Sequence, residues 1–221
     1  MPEDAPGFID RLYEEISLDP LERETITFIH FTDAHLDLYY QEGAIADCGG
    51  SYCCRTESND GVGQLKAGKW GPPSAAHHCD IPIITLQNAL NNIHSLPEYA
   101  DAYLFWTGDS TAHDDPWVSQ TEVADTLQAI INEVSQIFAD KIQDTFVSLG
   151  NHDWFPNAQE DFESIWPTEE VLNQLKQFVP LNQHGGYFRH NYYYKDVYEL
   201  GARIISLNTE SCDFHNDYLL S

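Results

Sequence analysis

Three short segments of this chain carry residues able to hold divalent cations: Asp33-Ala34-His35, Gly108-Asp109 and Gly150-Asn151-His152-Asp153. Carboxylate, imidazole and carboxamide oxygen are the donors from which two-cation hydrolytic sites are assembled. Each segment closely follows an apolar, strand-like run. Thr27-Phe28-Ile29-His30-Phe31 precedes Asp33, Tyr103-Leu104-Phe105-Trp106 precedes Asp109, and Phe146-Val147-Ser148-Leu149 precedes Asn151. Donors placed at successive strand ends would be delivered to one edge of a sheet.

Taken singly, these segments say little. A lone D-x-H is commonly surface polarity, and a lone G-D is usually a turn made possible by glycine. G-N-H-D is more specific, although a tight turn with Asn in the left-handed region would produce the same string. Asp33 and His35 lie two apart, so extended backbone would aim both side chains to one side. The conjunction decides the matter. The segments occur in order, each after a strand, and the intervals between them leave room for crossover helices.

The positioning elements follow from apolar periodicity. Strands are expected at Thr25–Phe31, Ala102–Trp106 and Thr145–Leu149. Ile83 to Leu96 reads as a helix with Ile83, Leu86, Leu90 and Ile93 in phase, stopped by Pro97. Val118 to Phe138 is the clearest helix, with Val123, Leu127, Ile130, Ile131, Val134 and Ile137 in an apolar stripe that faces the core. A short amphipathic helix is expected over Phe8–Leu18, and another over Thr168–Phe178 with Thr168 as its cap. Gly185-Gly186-Tyr187-Phe188 and Arg203-Ile204-Ile205-Ser206-Leu207 read as further strands, paired through the tyrosine-rich residues 192 to 198. Strands alternating with helices predict an α/β sheet whose ligands gather at the carboxyl ends of its strands.

The composition is that of a globular domain, with 42% hydrophobic residues and 11 Phe, 12 Tyr and 5 Trp. A net charge of -26 argues against nucleic acid as a bulk partner, because phosphate backbones require Lys and Arg to neutralise them. The same charge suits an acidic compartment and equally suits any highly soluble protein. No apolar run approaches the roughly 18 residues needed to span a membrane. Residues 1–24 form an acidic N-terminal extension without the basic start and apolar centre of a signal peptide. Either the protein is cytosolic or its true N-terminus lies upstream.

The cysteines favour the second option. Cys48, Cys53, Cys54 and Cys79 cluster within a long Gly-, Cys- and Ser-containing excursion over residues 41–80, while Cys212 stands apart. Local disulfides would pin this excursion; a structural zinc site is the rival, but the spacing is C-x4-C-C and not paired C-x2-C units.

The motif order D-x-H, G-D, G-N-H-D resembles the calcineurin-like metallophosphoesterase superfamily. The flanking strings Thr32-Asp33-Ala34-His35-Leu36-Asp37, Cys53-Cys54-Arg55, Cys79-Asp80-Ile81-Pro82, Trp106-Thr107-Gly108-Asp109, Ala112-His113-Asp114 and Arg203-Ile204-Ile205-Ser206-Leu207-Asn208 are similar to acid sphingomyelinase and its phosphodiesterase relatives. The resemblance runs from about Thr25 to Cys212. It implies a partial four-layer αββα sandwich over residues 25–221 and hydrolysis of a phosphodiester, lipid or nucleotide. It also implies two divalent metals, zinc in the family. Asp33 and His35 would bind the first metal, Asp109 would bridge both and Asn151 would bind the second. The metals would activate water against phosphorus, and His152 or His113 would protonate the leaving oxygen. Disulfides Cys48–Cys53 and Cys54–Cys79 are implied as well, with Cys212 pairing further on. The family's full-length members act outside the cell or in lysosomes.

The chain departs from this pattern towards its end. The family continues with a G-H-x-P-type segment and a G-H-x-H segment that supply further histidine ligands. His184, His190 and His215 lie in neither. The saposin-like domain that precedes the catalytic domain in acid sphingomyelinase is absent too. An incomplete domain that binds the second metal poorly, exposes apolar surface and has little activity alone is therefore expected. Sphingomyelin is the first candidate substrate. Trp154-Phe155-Pro156 looks more like relatives that cleave nucleotide-type diesters, and an inactive truncated paralogue is the non-enzymatic alternative.

Overall fold

The computed structural model describes residues 25–50, 52–60, 62–73, 79–113, 118–159, 167–213 and 215–217. Its centre is a parallel sheet of three short strands, β1 (Phe28–Phe31), β2 (Tyr103–Trp106) and β3 (Thr145–Val147), in that spatial order. Phe31 pairs with Trp106, and Trp106 with Val147, so the three strands end nearly level. Parallel strands need crossovers, and the long apolar stripes of the two main helices fill that role. Helix α1 (Ile83–His94) buries Leu86 and Leu90. Helix α2 (Gln120–Ile137) buries Val123, Leu127, Ile130, Ile131 and Val134. Ser119 caps α2 by accepting the Glu122 backbone N–H at 3.2 Å.

These stripes meet Leu104 and Trp106 of β2 in one continuous core, which also takes in Phe138, Leu175, Phe178 and Tyr193. Each fully buried Leu or Ile contributes about 1.5–3 kcal/mol by leaving water, so the core anchors the strand ends firmly. A second, antiparallel sheet consists of β4 (Tyr193–Val197) and β5 (Ala202–Ser206), paired from Tyr193↔Ser206 to Val197↔Ala202. It is tied to the first sheet through the Tyr193 hydroxyl, which accepts the Val147 N–H at 2.8 Å, and the Ser206 hydroxyl, which donates to the Val147 carbonyl.

The mixed α/β architecture expected from the sequence is present, and its strands and main helices fall within a few residues of their predicted places. Gly185-Gly186-Tyr187-Phe188 is the exception. It lies inside a helix, α3 (His184–His190), and not in a strand. The deciding contacts are helical in spacing: His184 meets the Phe188 ring four residues on, and buried Tyr187 packs edge-on against Tyr193. Asn191 then ends the helix in the left-handed region at φ 60°. The helix expected over Thr168–Phe178 is a composite: a π turn at Pro167–Leu172, an α turn at Asn173–Leu175 and a 3-10 turn at Lys176–Phe178. The Thr168 side chain and the whole Phe8–Leu18 segment lie outside the described residues.

Candidate metal centre

The three motif segments leave the carboxyl ends of β1, β2 and β3 and continue side by side. The backbone N–H groups of Asp33, His35 and Leu36 donate to the carbonyls of Gly108, Asp109 and Ser110 at 3.1, 3.0 and 2.7 Å. The loops are nevertheless not extended. Asp33, His35 and Asp109 adopt φ of 53°, 39° and 52°, in the left-handed region that non-glycine residues rarely visit. The two-apart spacing therefore brings Asp33 and His35 together by a different backbone from the extended one expected. Strain of this kind, of order 1–3 kcal/mol per residue, is retained where surrounding bonds over-determine it.

Two glycines let the second and third loops touch. A Cβ on Gly108 would collide with the Gly150 backbone nitrogen, and one on Gly150 with the Asp109 carboxylate. Asp153 then fastens the junction. Its fully buried carboxylate accepts the backbone N–H groups of Asp109, Ser110 and Gly150, each at 2.9 Å. Burial pushes its pKa up while these bonds from Gly150 and Ser110 pull it down, and the neighbouring Asp109 charge raises it further.

The result is convergence. One donor atom from each of Asp33, His35 and Asp109 lies within 4.8 Å of the others, and the same holds for His35, His113 and His152. The two triads share His35. Its ring stacks on His113 with centroids 3.7 Å apart and meets His152 edge-on at 4.9 Å. His35 Nδ1 is engaged with the Thr111 carbonyl at 3.0 Å, which requires Nδ1 to carry the proton and leaves Nε2 as the nitrogen able to accept a metal. Asp109 Oδ1 accepts the His152 N–H at 3.0 Å. Asn151 opens the same turn, its amide donating to Asn157 Oδ1 at 2.9 Å. Carboxylate and imidazole donors in this mixture, oriented by backbone partners, fit divalent first-row metals. Every residue selected from the sequence therefore lies at this strand edge: Asp33, His35, Asp109, His113 and His152 in the triads, and Asn151 beside them.

The Cys-containing excursion wraps the same edge. Disulfides join Cys48 to Cys53 and Cys54 to Cys79, as the resemblance implied, while Cys212 is a free, exposed thiol. The residue after each cysteine of the second bridge grips a site loop. Arg55 Nε donates to Asp37 Oδ2 at 2.8 Å, two residues beyond His35. Asp80 accepts from His113 twice, at its backbone N–H (2.7 Å) and at Nδ1 (2.8 Å). The Tyr52 hydroxyl donates to the His113 carbonyl. Sequence reasoning assigned no role to Asp80, Asp153, Arg55 or Tyr52. For Asp80 the available signal was its place directly after a cysteine of the stapled loop.

A parallel sheet with carboxylates and imidazoles gathered beyond its strand ends is an arrangement able to hold divalent metals. The family model for calcineurin-like phosphoesterases matches residues 26–216, and the chain belongs to that family. It is 30% identical over 199 residues to sphingomyelin phosphodiesterase B of Dictyostelium discoideum, covering 88% of this chain and 30% of that protein. Against sphingomyelin phosphodiesterase 2 of Caenorhabditis elegans it is 28% identical, covering 90% and 35%. It is also 30% identical to an endopolyphosphatase of Kluyveromyces lactis, covering 82% and 27%. The chain thus spans about a third of the length of these relatives. The family is one of hydrolytic phosphoesterases that use divalent metals.

Proposed function

We propose that this chain carries active-site residues of a phosphodiesterase that cleaves sphingomyelin to ceramide and phosphocholine. The observation that carries the reading is the meeting of Asp33, His35 and Asp109 within ligand distance of one another, next to His113 and His152. Asp33, His35 and Asp109 would hold one cation, zinc by the family resemblance, and Asp109 with Asn151 would contribute to a second. Bound there, divalent cations supply Lewis acidity towards a phosphoryl oxygen and lower the pKa of water. The chain's own residues do the rest. Asp109 holds the turn bearing His152 through its N–H. His113 and His152, with ring centroids 4.8 Å apart, would be the groups to give a departing alkoxide its proton.

The sphingomyelin phosphodiesterase relatives support a lipid diester as the substrate, beside the endopolyphosphatase at the same identity. Charge supports it too. A long polyanion needs a cationic track, and this chain carries a net charge of -26. Arg55, beside the site, is committed to Asp37. The two disulfides support an oxidising location, outside the cell or in lysosomes.

The test compares sphingomyelin, a nucleotide diester and long-chain polyphosphate as substrates of the full-length protein, with and without a chelator. Turnover of sphingomyelin alone, abolished by chelation and restored by zinc, is the expected outcome. Preference for polyphosphate or for the nucleotide diester would overturn the substrate assignment, and chelator-resistant turnover would overturn the metal assignment.

A further inference from the structure

Helix α1 has an outward face that the composition of the chain does not predict. None of its 12 residues is Asp, Glu, Lys or Arg, although the chain carries 36 acidic and 10 basic residues. Helix α2 shows the ordinary pattern, with Glu122, Asp125 and Glu133 along it. In α1 the corresponding positions are carboxamides, Gln87, Asn88, Asn91 and Asn92, and the three asparagines are exposed. Asparagine is among the poorer helix formers, and opposite charges four residues apart would suit an exposed face better. Helix stability therefore does not account for this choice of residues.

The same face lines a groove of about 340 Å³ that runs from Trp70 and Ile84 to Ser95. At 1.5 Å of rise per residue, Ile84 to Ser95 spans about 16 Å. Trp70 stands at one end, 52% exposed and yet fixed in place. It sits in a turn closed by the Gly68 N–H donating to the Gly71 carbonyl at 3.0 Å. Its own carbonyl accepts the Thr85 hydroxyl at 2.6 Å, and the Lys69 ammonium lies 5.2 Å from the ring centroid. An indole held open to solvent beside a groove is a flat apolar platform. The amides are oriented as well. The Asn91 and Asn92 amide nitrogens donate to the Gln87 and Asn88 carbonyls at 2.7 and 2.9 Å, which turns their oxygens away from the helix backbone. Gln87 Nε2 donates to Glu133 at 2.8 Å and ties this wall of the groove to α2.

We propose that this groove is a carbohydrate-binding site whose ligand is a short neutral oligosaccharide. A pyranose ring offers an apolar C–H face to stack on Trp70, and a rim of hydroxyls that both donate and accept, as carboxamides do. Other ligands fit the lining less well. An anion finds no cation along α1, and a cation has stronger partners among the acidic residues elsewhere on the chain. An apolar helix laid here would strip water from the amides and return no hydrogen bonds. The groove is separate from the metal centre but begins close to it. Helix α1 starts at Ile83, two residues after Ile81, whose N–H donates to the His35 carbonyl. A glycan bound along α1 would therefore lie beside the metal centre and leave its ligands untouched.

The test titrates the full-length protein with chitohexaose, cellohexaose and maltohexaose, read by calorimetry and by tryptophan fluorescence. At least one of the three should bind. Trp70→Ala should weaken that binding at least about tenfold, and so should the triple variant Asn88→Ala/Asn91→Ala/Asn92→Ala, the loss expected when one or two ligand contacts go. Alanine is the better helix former, so the triple variant should unfold at the same or a higher denaturant concentration than the wild type. That result separates lost recognition from lost folding, which Trp70→Ala alone would leave mixed. Absence of binding by all three sugars at about 10 mM, weaker than any millimolar affinity, would overturn the proposal. Undiminished binding in the triple variant, or equally tight binding of a sulfated hexasaccharide, would overturn it too. So would self-association of the wild type that the triple variant abolishes, since the face would then be an interface between copies of the protein.

Discussion

Asp153 shows how much of a candidate metal centre can depend on a residue turned towards backbone N–H groups. Three backbone N–H groups from two loops converge on its fully buried carboxylate. Replacing it with Ala orphans three donors at once, each costing about 1 kcal/mol or more. Asp153→Ala should therefore lose about 3 kcal/mol or more in denaturant unfolding, and Asp153→Asn, which keeps one acceptor oxygen, should lose less. Equal loss in the two variants would show that the carboxylate fills space and does not organise the loops. Asp109 makes the complementary case. It combines a position in the Asp33–His35 triad with a bond to the His152 N–H. Asp109→Asn should weaken divalent-metal binding at least about tenfold by titration calorimetry, with unfolding free energy changed far less. All six candidate site residues could be picked from the sequence because their types announce their chemistry. Asp153 stood within a motif without a role, because nothing in the string shows that its oxygens face backwards into the protein.

At the level of elements, the site is a meeting of loops that only small residues permit. Gly108 combines φ 85° with direct contact against Gly150, so Gly108→Ala pays for both backbone strain and collision. Gly150→Ala meets only the collision, with the Asp109 carboxylate. Both variants should lose divalent-metal affinity, and Gly108→Ala should lose the more stability, by about 2 kcal/mol or more. Calorimetric titration and chemical denaturation on the pair would check the order. The Cys54–Cys79 bridge closes a loop of sequence separation 25, worth about 3 kcal/mol in the chain-entropy account. Helices α1 and α2 were legible because a stripe repeated every three to four residues has one reading. Helix α3 was not, since two adjacent glycines followed by two aromatics match a strand as well as a helix. The contacts of His184 with Phe188 and of Tyr187 with Tyr193 decide it, and they exist only in the folded chain.

For the molecule as a whole, alkaline stability has a definite shape. Lys195 is half-buried, its ammonium against the carbonyls of Gln143 and Thr145 and over the Phe146 ring, and desolvation lowers its pKa to about 8. Between about pH 8 and its unfolded value of 10.5, the unfolded chain binds more protons at this residue than the folded one. Its contribution to stability therefore rises with pH across that window. Tyr40 and Tyr193 act oppositely. Burial raises both to about 12, so their contribution falls as pH climbs from 10 to 12. Unfolding free energy measured against pH should show a Lys195 increment between 8 and 10.5 that is missing in Lys195→Met, and a decline above 10 that persists in it. A variant curve parallel to the wild type throughout would refute the assignment.

Family and site chemistry were readable in the string itself, because residues such as Asp33, His35, Asp109 and Asn151 keep their donor atoms whatever the backbone does. The apolar runs before them also announce strands, since period and length are local properties. Geometry was decided only by the tertiary structure. Asp33, His35 and Asp109 turn through the left-handed region because backbone bonds between neighbouring loops hold them there. Asp80 reaches His113 because a disulfide and the bonds of Ile81 carry it across the sheet edge. Such pairings depend on loop closure between residues far apart in sequence, and that free energy is set by the assembled core and not by any local pattern.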